Sequence, residues 1–214
     1  LKPIILPDLS ALDGSRQDFS ILATGGTKLE EILNMGKSEF TLAIGLSMEN
    51  AAKILKDRFG IEYRLFESIS GLRQTDIFIE TLSMLGNIEI NRGFERQRRI
   101  LIDGMRDAHF YYGGKKIRLA TERDLSAQMA SWLTEMGAEI TIVDVNSVDL
   151  FSLDGNFDLL ISNSHAEDTA KRLGVKLYQM GFPVYKNLGY PSKLTIGYRG
   201  TLGLINEIAN LLMK

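Results

Sequence analysis

Ile161-Ser162-Asn163-Ser164-His165, Gly181-Phe182-Pro183-Val184-Tyr185 and Gly197-Tyr198-Arg199-Gly200-Thr201 punctuate the last quarter of the chain. The first ends the apolar run Phe157–Ser162 and the second follows Val175–Met180, so both lie where a buried strand gives way to a loop. The short segment Glu167–Leu173 between those runs reads as a helix. The third motif precedes a closing helix over Thr201–Met213, with Leu204, Ile205, Ile208, Leu211 and Leu212 at helical spacing. A strand–helix–strand alternation this tight requires right-handed crossovers and a mainly parallel sheet, whose carboxyl edge is where such folds place ligands.

The same alternation extends upstream. Lys116–Thr121 reads as a strand, Asp124–Met136 as a helix capped by Thr121 or Asp124 and closed by Gly137, and Glu139–Val145 as the next strand. Nearer the start, Pro3–Leu6, Phe40–Leu46 and Ile61–Phe66 read as strands. Ser47 is placed to cap a helix that ends at Gly60, and Thr75–Leu85 forms another helix. Asn91–Arg99 is basic and leads into a helix carrying Ile100, Leu101 and Met105, which Gly113-Gly114 ends. The expected fold is therefore α/β, with two Rossmann-like three-layer domains and mainly parallel sheets. The first spans 1–94; the second, 95–214, begins with a connecting helix.

Composition narrows the chemistry. A chain of 214 residues with 44% apolar and 24% charged residues is long enough for two ordinary globular domains. Its net charge of −2 gives no electrostatic case for nucleic acid or an anionic membrane, and no apolar run approaches the ~18 residues of a membrane span. The sequence has no cysteine, which removes disulfides, thiolate ligands and cysteine nucleophiles, and its two histidines, His109 and His165, cannot build a histidine cage. The turn Thr121–Ser126 has no glycine and carries two carboxylates, which argues against a dinucleotide site. Gly25-Gly26-Thr27-Lys28 lacks the spacing of a phosphate loop.

Glu122, Ser164-His165 and Gly181-Phe182 follow separate strands and are expected at one sheet edge, where they would line a crevice or serve as capping and packing residues. Arg92, Arg96 and Arg99 fall on one side of a helix, as a solvated face or a partner surface. Tyr198 and Arg199 stand before a helix N-terminus, where a cation is disfavoured by the dipole. Arg199 is accordingly the leading candidate for a specific ion pair, within the fold or across a subunit boundary. No catalytic residue and no metal ligand is assigned.

The three C-terminal motifs do not stand alone. They follow Leu6-Pro7-Asp8-Leu9-Ser10, Leu12-Asp13-Gly14, Thr24-Gly25-Gly26-Thr27, the Arg96–Tyr112 helix with Asp103-Gly104-Met105 and His109-Phe110, and Met136-Gly137-Ala138-Glu139. In this order the set resembles the nitrogenase component 1 family along essentially the whole chain. The resemblance implies three Rossmann-like domains per subunit, of which this chain matches the second and third; a start at Leu1 without methionine fits a fragment. It further implies a cytoplasmic α2β2 scaffold for maturation of the iron-molybdenum cofactor. The partners it implies are a NifE-like subunit, the nitrogenase iron protein and a carrier that delivers the precursor. The assembled complex would carry iron-sulfur clusters and the cofactor precursor, with none bound by this fragment, whose role is structural rather than catalytic. The alternatives are a β-subunit of nitrogenase or of a protochlorophyllide-reductase-type enzyme and, in another class, a small-molecule-binding α/β protein using the Glu122–His165–Phe182 crevice.

Overall fold

The computed structural model describes residues 1–8, 19, 21, 25–146 and 148–213. The Leu9-Ser10, Leu12-Asp13-Gly14 and Thr24 portions of the motifs lie outside them. The chain divides into two compact units, residues 1–43 with 48–65 and residues 44–47 with 66–214.

The first unit carries α1 (Leu29–Asn34), α2 (Glu49–Phe59) and most of two paired strands, β1 (Thr41–Ile44) and β2 (Tyr63–Phe66). Helix α2 ends as its sequence dictates: Gly60 takes a left-handed conformation at φ 70° and its amide donates to the Lys56 carbonyl at 2.8 Å. The expected strand Pro3–Leu6 is absent. Pro3 has no amide hydrogen to give a ladder, Ile5 and Leu6 are exposed, and neither pairs with a described strand.

The second unit runs α3 (Leu72–Gly86), α4 (Arg92–Ala108), β3 (Lys116–Thr121), α5 (Arg123–Glu135), β4 (Glu139–Asp144), β5 (Leu159–Ser162), α6 (Glu167–Leu173), β6 (Lys176–Gln179) and α7 (Gly197–Met213). Its four strands form one sheet in the order β4-β3-β5-β6, and every neighbouring pair is parallel. The registers place Thr121 beside Asp144 and Ser162 beside Gln179, so the strands end together at one edge.

Side-chain alternation builds the layers. Ile117 and Leu119 of β3 and Leu159 and Ile161 of β5 point to the face covered by α4, α5 and α7, in a core with Leu101, Met129, Trp132, Leu204 and Ile208. Ala120 and Leu160, one residue out of phase, face Leu150, Phe157, Ala166 just before α6 and Ala170 within it. The continuous apolar reading of Leu159–Ile161 thus reflects burial on both faces.

Three local expectations change. Ser47 does not cap α2: its amide donates to Asp124 Oδ1 at 3.1 Å and its hydroxyl donates to Asp124 Oδ2. That contact, together with the pairing of the Thr121 hydroxyl with Ser126 Oγ at 2.7 Å, leaves neither Asp124 nor Thr121 as the cap of α5, which begins after Glu122. Helix α7 begins at Gly197, so Tyr198 and Arg199 belong to its first turn instead of preceding it.

Candidate functional site

The sheet edge and the end of the helical layer offer two concave surfaces. At the carboxyl edge, Glu122, His165 and Phe182 line a common crevice of about 360 Å³ with Val148, Asp149 and Asn163. Ser164 and Gly181 support its rim. The buried Ser164 donates its amide to the Pro183 carbonyl at 2.9 Å, and its hydroxyl accepts from the Tyr185 amide at 2.9 Å while donating to Gln179 Oε1 at 3.3 Å. Asn163 adds a third tie, donating from Nδ2 to the Phe182 carbonyl at 3.1 Å while Oδ1 accepts from the His165 amide at 3.0 Å. Gly181 sits at φ 93°, and a β-carbon there would lie 3.3 Å from Glu122 Oε2, so the glycine lets the loop pass over that carboxylate.

His165 is exposed and meets Tyr185 edge to face, with ring centroids 5.9 Å apart. Phe182 is 83% exposed, follows Gly181 out of the sheet and joins Pro183 through a cis peptide bond. The crevice therefore holds two carboxylates, Glu122 and Asp149, one imidazole and the rings of Phe151 and Phe182, and Asp149 Oδ1 accepts from the Phe151 amide at 2.9 Å. Nothing in that set is a nucleophile–base pair, and among the described residues no three acidic or histidine side chains come together as a metal site.

The loop over this edge is also fastened by charge. Glu167 accepts from Lys186 at 2.7 Å and Lys171 at 2.9 Å, and these two hydrogen bonds, that of Lys186 first, pull its pKa down to about 2. An unfolded glutamate titrates near ~4.3, so the folded value is the lower one. The stabilisation is complete above the unfolded value and is lost as pH falls through about 2. A carbon-detected NMR titration should accordingly give a Glu167 midpoint near 2 that rises in Lys186→Ala. A normal midpoint in the unaltered protein would mean the bridge is not formed in solution.

Tyr198 and Arg199 lie elsewhere, on a groove of about 540 Å³ between α4 and α7 that also contains Arg96, Gln97, Ile100 and Leu202. The buried Tyr198 donates its hydroxyl to Asp76 Oδ1 at 2.7 Å. Asp76 also receives Arg98, with Nε 2.9 Å from each carboxylate oxygen and one terminal nitrogen 2.8 Å from Oδ2. Burial first, and the Asp76 hydrogen bond second, raise the Tyr198 pKa, while the same carboxylate raises that of Arg98. Arg199 has no ion pair among the described residues and is exposed. The specific charge pair of this region is Arg98–Asp76, joining α4 to α3, with Tyr198 bringing in α7.

The remaining residues of the Gly197–Thr201 motif are architectural. Gly197 has φ 67° and donates its amide to the Ile69 carbonyl at 2.9 Å. A β-carbon on Gly200 would come within 2.6 Å of the Thr195 carbonyl carbon. Thr201 Oγ1 accepts from the Gly71 amide at 2.8 Å and donates to the Gly197 carbonyl at 2.7 Å. Asp76 and Arg98 belong to no sequence motif, and their only sequence signal is position on the inward faces of two helices.

Comparison with known proteins supplies what the crevice chemistry does not. The family model described as Nitrogenase component 1 type Oxidoreductase matches residues 5–152 and 144–213. The chain belongs to this family. Among curated members, the nitrogenase iron-molybdenum cofactor biosynthesis protein NifN of Rippkaea orientalis (strain PCC 8801 / RF-1) is 40% identical, with 100% of this chain aligned to 53% of that protein. NifN of Bradyrhizobium diazoefficiens is 36% identical over 100% of this chain and 50% of its own length, and NifN of Klebsiella pneumoniae 32% identical over 100% and 51%. The chain thus spans about half the length of the curated relatives it matches.

The solved structure "Nitrogenase Cp1 at pH 6.5" shares the component 1 fold, with a TM-score of 0.79 at 24% identity over 94% of this chain and 51% of that one. Heme-complexed IsdE of S. aureus has a TM-score of 0.54 at 10% identity, covering 86% and 80%; at that distance the likeness concerns the α/β architecture alone. Among the described residues, no helix is long and apolar enough to cross a membrane.

Proposed function

We propose that this chain is a NifN-like portion of the scaffold on which the nitrogenase iron-molybdenum cofactor is matured. The observation that carries the reading is similarity along the whole of this chain to about half of each NifN protein, at 32–40% identity, supported by the component 1 fold. On this reading, residues 1–94 and 95–214 correspond to the second and third domains of the family. Those limits follow the basic segment Asn91–Arg99 and the connecting helix it opens, whereas the compact units reflect contacts within the described residues. The functional complex is a cytoplasmic α2β2 assembly with a NifE-like subunit, served by the nitrogenase iron protein and a precursor-delivering carrier.

Iron-sulfur clusters and the cofactor precursor belong to the assembled complex. The residues of this chain do not fit the ligand role: the sequence has no cysteine, and the described residues contain no group of three or more metal-binding side chains. The chain's own contribution is structural: its α/β units present surfaces to partners. The Ser164 and Asn163 hydrogen bonds fix the loop at the sheet edge, and Tyr198, Asp76 and Arg98 fix the first turn of α7. Glu122, His165 and Phe182 at that edge, and Arg199 beside α4 with Tyr198 buried beneath it, are the residues from which partner contacts are built or positioned.

Anaerobic co-production of the full-length protein with a NifE-like subunit should yield a stable complex of both subunits. Failure of the pair to co-purify would overturn the reading. So would stoichiometric iron-sulfur cluster binding by the isolated 214-residue chain after reconstitution, because that requires ligands the reading assigns elsewhere.

A further inference from the structure

We infer that the groove between α4 and α7 docks an acidic, amphipathic segment of the partner subunit, an assignment that rests on the scaffold reading above. Arg92, Arg96 and Arg99 are exposed on α4 at spacings that place them on one face of the helix, and Arg96 lines the groove together with Arg199 of α7. None of these four arginines has an acidic partner among the described residues, whereas Arg98, on another side of the same helix, is saturated by Asp76.

The helices make this positive end stronger. Arg98, the seventh residue of α4, and Tyr198, the second of α7, meet at Asp76, and the Tyr112 hydroxyl, beyond the end of α4, reaches the Ile205 carbonyl farther along α7. The two helices therefore run in the same direction, with Arg92 in the first turn of α4, Arg96 just past it and Arg199 in the first turn of α7. Helix N-termini carry partial positive charge, so cations gathered there are unfavourable without an external anion. Carboxylates of a partner supply that charge and can pair with guanidinium groups through two hydrogen bonds.

The groove is also shaped for more than an ion. Its volume of about 540 Å³ exceeds many-fold the ~30 Å³ share of one water molecule. Ile100, 44% exposed, and the half-buried Leu202 supply an apolar surface, with Gln97 and Asn206 as hydrogen-bonding groups. An apolar centre edged by arginine is the pattern of a protein interface, where arginine is enriched and a few anchors dominate binding. A segment that inserts an apolar side chain between flanking Asp or Glu residues matches it.

The test is the affinity of the full-length protein for a NifE-like partner, measured at low and high salt. The double variant Arg96→Glu/Arg199→Glu should bind at least tenfold more weakly at low salt and lose most of the salt dependence. Its melting temperature should stay near that of the unaltered protein, because acidic residues near helix N-termini suit the dipole. Arg96→Lys/Arg199→Lys should retain most binding, and Arg123→Glu, a reversal outside the groove, should leave it unchanged. Normal binding by the double reversal overturns the groove assignment while leaving the scaffold reading in place. Loss of self-association with partner binding intact also overturns it, assigning the groove to a second copy. If the unaltered protein does not bind the partner, the scaffold reading fails and this assignment fails with it.

Discussion

Trp132→Ala is expected to lower the unfolding free energy of the second unit by about 3–5 kcal/mol. Trp132 is fully buried on α5 within the larger core, meets Tyr112 edge to face at 6.1 Å, and has its β-carbon within 3.1 Å of a β-carbon built at Gly71. Truncation therefore removes a large apolar surface at a point where β3, α5 and α7 share one core, and close-packed neighbours cannot fill the space. Trp132→Phe should cost less than half as much. The indole nitrogen is buried without a hydrogen-bond partner among the described residues, so replacing the indole by a phenyl ring also removes an unsatisfied donor worth roughly 1–3 kcal/mol. As this is the only tryptophan, urea unfolding of the variants must be followed by circular dichroism. A loss below about 1 kcal/mol for Trp132→Ala would mean that this core is far more adaptable than the typical range for such truncations.

The same core explains which parts of the fold are legible in the sequence. Lys116–Thr121 is read to the residue because its two faces bury different clusters, and Glu167–Leu173 because Gly174 terminates it at φ 65°. Pro3–Leu6 has the same apolar composition as a strand but lacks a described strand to pair with. Strand formation needs a neighbour, and composition does not provide one. Ser47, Thr121 and Asp124 fail as cap assignments for a related reason. Each is a good local capping residue, yet the fold brings Ser47 to Asp124 across 77 positions of sequence, and that hydrogen bonding takes the place of the local one.

For the site, sequence order places Glu122, His165 and Phe182 on one crevice because parallel strands deliver their carboxyl ends to the same edge. What order does not reveal is the division of labour: Ser164 and Asn163 spend their hydrogen bonds on the loop over Pro183 and Tyr185. Nor does it reveal that Arg96 and Arg199, more than 100 positions apart, share a groove. Arg199 stands out on dipole grounds, but the ion pair is made by Arg98. The difference is helical phase: Arg98 turns inward to α3, whereas Arg199 turns out to the groove.

Asp76→Ala should destabilise the second unit by about 2–3 kcal/mol, the range for loss of hydrogen bonds to a charged group. The full 3–5 kcal/mol cost of breaking a buried ion pair is not expected, since the Arg98 side chain remains 42% exposed and water screens the pair. Without the carboxylate, Arg98 can turn to solvent, but the Tyr198 hydroxyl loses its acceptor at a buried residue. Because Asp76 on α3 grips α4 through Arg98 and α7 through Tyr198, the loss loosens both walls of the arginine-lined groove. Partner affinity should therefore fall along with stability, unlike in Trp132→Phe. Comparing Asp76→Ala with Tyr198→Phe and the double variant isolates the hydroxyl's share: a coupling of at least ~0.5 kcal/mol is expected for groups in direct contact. Additive losses would mean that Tyr198 and Asp76 act independently, and α7 would then be held by its apolar face alone.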